Sequence, residues 1–262
     1  MKNENQRYSS LLPDNRRMVG KRSRRFAIYR RSSAACLNDV RSTSSRGFLR
    51  YQTRVIDLRV GEHEYRIRAL KDLQQFHDPG QTAEKLGISP SMWSLFGQLW
   101  PTGLQLANEI AVRDIAGKRI LEIGCGLALS SLIAHKRQAD VIASDRHPLA
   151  EDFLSQNSAL NGLSGVPYNH LEWDAQRDRS LGGFDLIIGS DVLYERGHIA
   201  LLANVVKLYA HAHAEVLIAD PGRGNCGAMN TAMRADGFTA SERRFSIEDR
   251  PVLSGRMMRF QR

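Results

Sequence analysis

Apolar and polar residues alternate in two neighbouring segments after residue 50. The first, RVIDLRV at 54–60, and the second, EYRIRAL at 64–70, have the period of two that is typical of half-buried strands. The glycine-containing GEH between them is a turn signal, so this region predicts a β-hairpin. The aromatic-rich segment that follows, up to residue 100, is predicted to be helical or irregular.

After residue 100, short apolar runs alternate with segments of helical spacing. The apolar runs predict five strands, at 119–124, 139–145, 166–173, 184–190 and 214–220. The helical segments lie at 102–112, 127–137, 148–162, 198–212 and 226–237. Strands that alternate with helices are typical of a parallel sheet covered on both faces. Two further segments, at 238–247 and 252–262, can add an antiparallel pair. We therefore predict an α/β fold with a doubly wound, seven-stranded, mostly parallel Rossmann-like sheet.

The charge of the chain is concentrated in its first 50 residues. The net charge is +9, and residues 1–50 hold 13 of the 37 basic residues but only 3 of the 28 acidic ones. The remainder, with 24 basic and 25 acidic residues, is nearly neutral. A segment so poor in apolar residues is predicted to be a disordered, solvated extension. Three other interpretations stay open: an organellar transit peptide, an arm that binds nucleic acid, and non-native sequence upstream of Met18.

These patterns divide the chain into three predicted parts. They are a basic extension at 1–48, the hairpin with a helical cap at 49–100, and the main α/β domain at 101–262. No apolar run approaches the roughly 20 residues that a membrane span needs, so we expect no membrane partner. Three widely spaced cysteines suit a reducing compartment, which predicts a cytoplasmic location, or an organelle if the extension is a transit peptide.

A glycine turn follows the first predicted strand of the sheet, in ILEIGCGLALS at 120–130. A strand, a glycine turn and a helix make a nucleotide site, and the dinucleotide fingerprint requires Gly-x-Gly-x-x-Gly. Gly124 and Gly126 fit this fingerprint, but Leu129 occupies the position of the third glycine. The motif is therefore either a degenerate dinucleotide site or the site of another cofactor.

Acidic residues at the strand ends favour another cofactor. Glu122 lies inside the turn motif, and Asp145, Asp174, Asp191 and Asp220 each follow or end one of the next four predicted strands. Ligands of open α/β sheets bind at these carboxyl ends, where a carboxylate such as Asp145 can bind a ribose diol. A dinucleotide pyrophosphate would be repelled by an acidic rim. S-adenosylmethionine, which is cationic and has no phosphate, fits better than a nicotinamide dinucleotide.

Four motifs resemble those of the class I, seven-strand methyltransferases that modify lysine in non-histone proteins. LEIGCGLA at 121–128 resembles their first motif, with Ala128 where many members have glycine. LWPTGLQLA at 99–107 is similar to their entry helix, and FDLIIGSDVLYE at 184–195 resembles their Asp-x-x-Tyr motif. VLIADPGR at 216–223 is similar to the branch that methylates the electron-transfer flavoprotein β subunit.

The resemblance implies a role for each matching residue. Glu122, Gly124 and Gly126 would line the methionine part of S-adenosylmethionine, and Asp145 would bind its ribose. The remaining assignments are Trp173 and Asp174 beside the adenine, Trp100 at the entrance, Asp191 and Tyr194 as catalytic residues facing the acceptor, Asp191 also on the cofactor side, and Pro221 and Arg223 on the opposite wall. No histidine or cysteine has metal-ligand spacing, so we expect no metal.

The resemblance implies transfer of a methyl group to a lysine side chain of a protein substrate. Neutralising a lysine amine at pH 7 costs about 4.6 kcal/mol, and a carboxylate at Asp191 would favour the ammonium form. We therefore expect Asp191 to bind and orient the nitrogen rather than act as a strong base. A small-molecule N-methyltransferase with a nicotinamide-like or amine acceptor is the alternative. A nucleic-acid-binding protein that uses the basic extension is a second alternative, which the nearly neutral body disfavours.

Overall fold

The computed structural model describes residues 29–30, 51–78, 80–246 and 254–262. The predictions made for the basic extension therefore lie outside the described residues, apart from Tyr29–Arg30. These two residues form a short strand, β1, antiparallel to β2 (Thr53–Val60).

The predicted hairpin is confirmed. β2 pairs in antiparallel register with β3 (His63–Leu70). Gly61 in the turn has φ +59°, a left-handed conformation that glycine adopts without steric cost. The segment after the hairpin contains two one-turn helices, α1 (Thr82–Lys85) and α2 (Pro90–Trp93).

Seven further strands form the main sheet, as predicted, but residues 210–212, which were expected to be helical, belong to its fifth strand. They are β4 (Arg119–Ile123), β5 (Asp140–Asp145), β6 (Tyr168–His170), β7 (Phe184–Ser190), β8 (Ala210–Asp220), β9 (Thr239–Ser246) and β10 (Ser254–Gln261). Their order across the sheet is β6-β5-β4-β7-β8-β10-β9. The first five are parallel to one another, and β10 is antiparallel to both of its neighbours. The strand order reverses beside β4, which is where ligands of such sheets bind.

Helices cover both faces of this sheet. They are α3 (Pro101–Val112), α4 (Leu129–Lys136), α5 (Ala150–Leu160), α6 (His198–Tyr209) and α7 (Cys226–Ala235), with a 3-10 turn at Arg179–Leu181. The hairpin, α3, α4 and α5 share one apolar core with the first face, and α6 and α7 pack on the second. Neighbouring residues of β7 alternate between the two cores, as Leu186 and Ile187 do, because strand side chains point to opposite faces. None of the helices in the described ranges is long and apolar enough to span a membrane.

Asn157 of α5 and Asn161, which caps the C-terminal end of this helix, cover the outer edge of the hairpin. The Asn157 side chain accepts a hydrogen bond from the backbone N–H of Arg68 at 2.7 Å and donates one to its carbonyl at 3.3 Å. Asn161, one helical turn later, makes the same pair with Arg66 at 2.9 and 2.8 Å. These side chains satisfy β3 backbone groups that would otherwise be open to another strand. Asn157 also donates to the carbonyl of Leu127, so it links the hairpin to the glycine turn.

Candidate active site

A cleft opens at the carboxyl ends of β4, β5, β7 and β8. It holds about 1060 Å³ of space, part of it open to solvent. Its walls come from the segment before α3, the glycine turn, and the loops that follow β5, β7 and β8. The cleft therefore lies at the reversal of strand order, where the sequence placed the binding site.

Close backbone contacts explain the glycines of the turn. Gly124 and Gly126 have φ +60° and +52°. A Cβ atom on Gly126 would lie 2.8 Å from the carbonyl oxygen of Phe96, and one on Gly124 would lie 2.9 Å from Cγ1 of Val192. Ala128, the N-cap residue before α4, is also left-handed at φ +56°, a conformation in which glycine is favoured over alanine. The protein's own packing therefore requires glycine at both positions of the Gly-x-Gly turn, whether or not a ligand is bound.

Glu122 is a buried carboxylate at the base of the cleft. Its Oε2 accepts hydrogen bonds from the backbone N–H of Ser131, at 2.9 Å, and from the Ser131 hydroxyl. Burial raises the pKa of Glu122 from 4.5 to about 7, and the nearby Asp145 carboxylate adds to this rise. The hydrogen bonds from Ser131 oppose it without cancelling it. Near neutral pH, Glu122 can therefore change its charge in response to a bound cation.

Asp145 ends β5 and holds the glycine turn. Its Oδ2 accepts from the backbone N–H of Gly126 at 2.8 Å, and its Oδ1 accepts from the N–H of His147 at 2.9 Å. Burial raises the pKa of Asp145, and these backbone hydrogen bonds lower it again. Two carboxylates, Glu122 and Asp145, thus accept hydrogen bonds from N–H groups of the turn and the following helix. Together with Asp191, they form the acidic lining of the cleft.

Asp191 lies directly after β7 and pairs with Arg223, which follows β8. The guanidinium donates two hydrogen bonds to the carboxylate, from Nε to Oδ1 at 2.8 Å and from a terminal nitrogen to Oδ2 at 2.9 Å. Only 9% of the Asp191 side chain and 17% of the Arg223 side chain are exposed, so the pair is shielded from solvent. Its carboxylate therefore does not face the cleft as an isolated negative charge.

Aromatic rings form the side of the cleft near Asp191. The ring of His198 lies edge-on to Tyr194, with centroids 4.6 Å apart, and edge-on to Trp173 at 5.2 Å. Burial lowers the pKa of His198, and the nearby Glu195 carboxylate opposes this shift. On the opposite side, the Trp100 indole donates to the carbonyl of Leu95 at 3.0 Å. His198 thus contacts both Trp173, which is predicted to lie beside the adenine, and Tyr194, which is predicted to face the acceptor.

The structure places nearly all of the predicted site residues around one cleft. The cleft is lined by Trp100, Glu122, Gly124, Gly126, Asp145, Trp173, Asp191, Tyr194 and Arg223. Asp174 is exposed and lies outside the lining residues. Pro221 is also outside them, next to the loop that carries Arg223. The individual roles of these residues stay predictions.

Sequence reasoning missed a histidine and a phenylalanine of the cleft. His147 stacks on Phe96, with ring centroids 3.8 Å apart, and packs edge-on against Trp93 at 4.5 Å. Burial lowers the pKa of His147 to about 3, so its ring is neutral. The only feature of the sequence that could have indicated His147 is its position two residues after Asp145. Within the described ranges, no group of histidine, cysteine and acidic residues could hold a metal ion.

Comparison with known proteins identifies the family. Residues 90–227, more than half of the chain, match the family described as lysine methyltransferase. The chain belongs to the lysine methyltransferase family. This membership confirms the predicted methyltransferase fold. It also confirms the prediction that the cofactor is S-adenosylmethionine. The matched range contains every cofactor and acceptor residue predicted above.

This lysine methyltransferase family member is similar to several proteins over about half of its length. It is 30% identical over 135 residues to the electron transfer flavoprotein beta subunit lysine methyltransferase of Danio rerio, covering 50% of each chain. It is 32% identical over 134 residues to protein N-lysine methyltransferase METTL21A of Danio rerio, covering 49% of this chain and 59% of that one. It is 35% identical over 145 residues to histone-arginine methyltransferase METTL23 of Xenopus laevis, covering 52% and 59%. The chain thus spans about half the length of these relatives.

A solved structure has the same fold. A putative methyltransferase, SMU.776, complexed with S-adenosylhomocysteine, superposes with a TM-score of 0.54 at 12% identity, over 80% of this chain and 56% of that one. At this identity the likeness concerns the fold alone.

Proposed function

We propose that this protein uses S-adenosylmethionine to methylate a lysine side chain of a protein substrate. The cofactor part of this proposal depends on one observation: backbone N–H groups of the glycine turn and of α4 already donate hydrogen bonds to carboxylates of the protein. The N–H of Gly126 donates to Asp145, and the N–H of Ser131 donates to Glu122. A dinucleotide pyrophosphate binds through such N–H groups at a helix start. Here carboxylates already accept these hydrogen bonds, which disfavours a phosphate and favours a cation.

The residues of the cleft fit S-adenosylmethionine. Glu122 and Asp145 supply negative charge for a ligand that carries an ammonium and a sulfonium, and Asp145 is also the proposed partner of the ribose hydroxyls. Trp173 offers an aromatic surface beside the glycine turn, with its ring 3.4 Å from the Cβ position of Gly124. When bound, the cofactor supplies an electrophilic methyl group. The protein's own residues bind the cofactor, orient the acceptor and exclude water from the cleft.

The acceptor side of the cleft suits an amine. Asp191 and Tyr194 both follow β7 in the chain, and both line the cleft together with the glycine turn. A methyl acceptor must present a nitrogen lone pair, so a lysine has to lose its proton before it reacts. The proposed role of Asp191 is to orient the nitrogen, and aligning the reactants in this way can supply several kcal/mol of rate enhancement. Names of relatives that specify protein lysine support lysine as the acceptor.

A labelling experiment tests the proposal. The protein is incubated with radiolabelled S-adenosylmethionine and a lysate of cells that lack the gene, and label is followed into protein and low-mass fractions. We expect a labelled protein band that disappears with Asp191→Ala, while calorimetry shows that this variant retains cofactor binding. Asp145→Ala should instead weaken cofactor binding. Label in low-mass material alone would contradict the proposal in favour of the small-molecule acceptor.

We also propose that the protein resides in a reducing compartment such as the cytoplasm. The cysteines in the described ranges, Cys125 and Cys226, are both buried and free. Free buried thiols suit a compartment in which disulfides rarely form. Fractionation of cells that express the tagged protein tests this location, and recovery in an organelle would favour the transit-peptide interpretation of residues 1–48.

A further inference from the structure

Three contacts join the loop after β7 to the end of β8 and the loop that follows it. The backbone N–H of Asp191 donates to the carbonyl of Ala219 at 2.8 Å. The side chain of Asn225 donates to the carbonyl of Leu193 at 2.6 Å. The third contact is the bidentate pair between Asp191 and Arg223. Only this third contact involves charge, so its effect can be separated from that of loop packing.

The backbone around Asp191 and Arg223 is built to hold the pair. Asp191 has φ +54°, a left-handed conformation that aspartate tolerates better than most residues but that still costs energy. On the other loop, Oδ1 of the buried Asp220 accepts hydrogen bonds from the N–H groups of Gly222 and Arg223, at 2.7 and 3.2 Å. Cys226 donates to the same oxygen at 3.3 Å. Asp220 thus fixes the turn that presents Arg223 to Asp191.

The pair changes what Asp191 can do to an amine. An unpaired carboxylate beside a lysine stabilises its ammonium form, which has no lone pair for methyl transfer. A bidentate guanidinium offsets the negative charge of that carboxylate and fixes the orientation of its plane. The Asp191 oxygens keep lone pairs that can accept a hydrogen bond from a neutral amine. The pair therefore orients the acceptor without favouring its protonated form.

We propose that Arg223 is a positioning residue that makes the acceptor site receive a neutral amine, by holding and neutralising Asp191. This inference rests on the proposed lysine methyltransferase function. A lysine that enters as an ammonium releases its proton to solvent on binding, and the neutral amine stays beside Asp191. Without the guanidinium, the proton stays in the site, shared between the amine and Asp191.

Proton release on binding measures this directly and requires no turnover. The probe is a peptide copied from the labelled substrate site, titrated calorimetrically into the protein with S-adenosylhomocysteine, in buffers of different ionisation enthalpy. At pH 7.5, free lysine carries its proton, and wild type should release more protons per peptide than Arg223→Met does. Arg223→Met should release about half or less, and Arg223→Lys, which keeps the charge, should restore the release. Arg223→Gln is a second uncharged variant if Arg223→Met fails to bind S-adenosylhomocysteine.

Turnover supplies an independent readout. The apparent pKa of kcat should rise by about one unit or more in Arg223→Met, because the unpaired carboxylate favours the ammonium in the complex. Asn225→Ala is the matched control, since it removes a contact between the same two loops without changing charge. It should lower kcat at every pH and leave both proton release and the apparent pKa unchanged.

The outcomes separate the inference from the function on which it rests. If wild type methylates a lysine but Arg223→Met releases as many protons as wild type, the inference is wrong and the function stands. Equal loss of release in Asn225→Ala would also overturn it, because loop packing would then be the cause. If wild type labels no lysine, the proposed function fails and the inference fails with it.

Discussion

Replacing Glu122 with glutamine tests the electrostatics of the cleft floor. Glu122 is buried, and its pKa is raised from 4.5 in an exposed chain to about 7. A carboxyl whose pKa is higher in the folded state binds more protons when folded than when unfolded. Its contribution to stability is therefore complete below pH 4.5 and is lost as the pH rises to about 7. Glutamine has a similar shape and does not titrate.

The magnitude follows from the size of the pKa rise. A rise of about 2.5 units corresponds to about 3 kcal/mol between the fully protonated and fully ionised limits. Most of this range is crossed between pH 5 and pH 8. The free energy of unfolding of wild type minus that of Glu122→Gln should therefore fall by about 2 to 3 kcal/mol from pH 5 to pH 8. Taking this difference cancels the titration of groups that do not interact with Glu122.

Urea unfolding at the two pH values, without cofactor, measures this difference. A pH-independent difference between the two proteins would refute the assignment of a raised pKa to Glu122. The same residue should link cofactor binding to pH, because a bound cation favours the ionised carboxylate. Wild-type affinity for S-adenosylmethionine should therefore rise between pH 6 and pH 8, and the affinity of Glu122→Gln should stay flatter and weaker. A steeper pH dependence in the variant would contradict the charge argument.

Two further predictions concern backbone contacts. Gly126→Ala should destabilise the fold by about 2 kcal/mol or more, because the left-handed backbone and the Phe96 carbonyl both oppose a Cβ atom. Gly162→Ala is its control, with φ +63° and open space around the Cβ position, and it should cost only about 1 kcal/mol in urea unfolding; equal costs would contradict the contact argument. Asn161→Ala should lower the free energy of unfolding by about 1 to 2 kcal/mol through its two lost hydrogen bonds to Arg66, and an unchanged urea midpoint would contradict the edge-covering role.

The sheet and its helices could be predicted from the sequence because periodicity reports burial. β7 and residues 214–220 of β8 are nearly continuous apolar runs, as expected for strands covered on both faces. The hairpin was equally clear from its alternation. β6 was the weakest of the predicted strands, and it spans only three residues in the structure. Its edge position and mixed composition leave little periodic signal.

The interactions inside the cleft could not be predicted from the sequence in the same way. The motif at 216–223 placed Arg223 near the site, but sequence spacing does not show that its guanidinium meets a carboxylate 32 residues earlier. The stacking of His147 on Phe96 joins residues from separate loops, and no local pattern encodes it. Asn157 and Asn161 resemble ordinary helix-surface residues until the hairpin is packed against them. Each of these contacts depends on tertiary structure, which local patterns leave undetermined.

The identity of the labelled residue is the most direct test of the central claim. Mass spectrometry of the protein band labelled by wild type, with Asp191→Ala as the unlabelled comparison, locates the transferred methyl group. We expect a peptide with one or more methyl groups on the side-chain nitrogen of a lysine. A methyl group on arginine would contradict lysine as the acceptor, and the absence of any methylated peptide would contradict a protein substrate altogether.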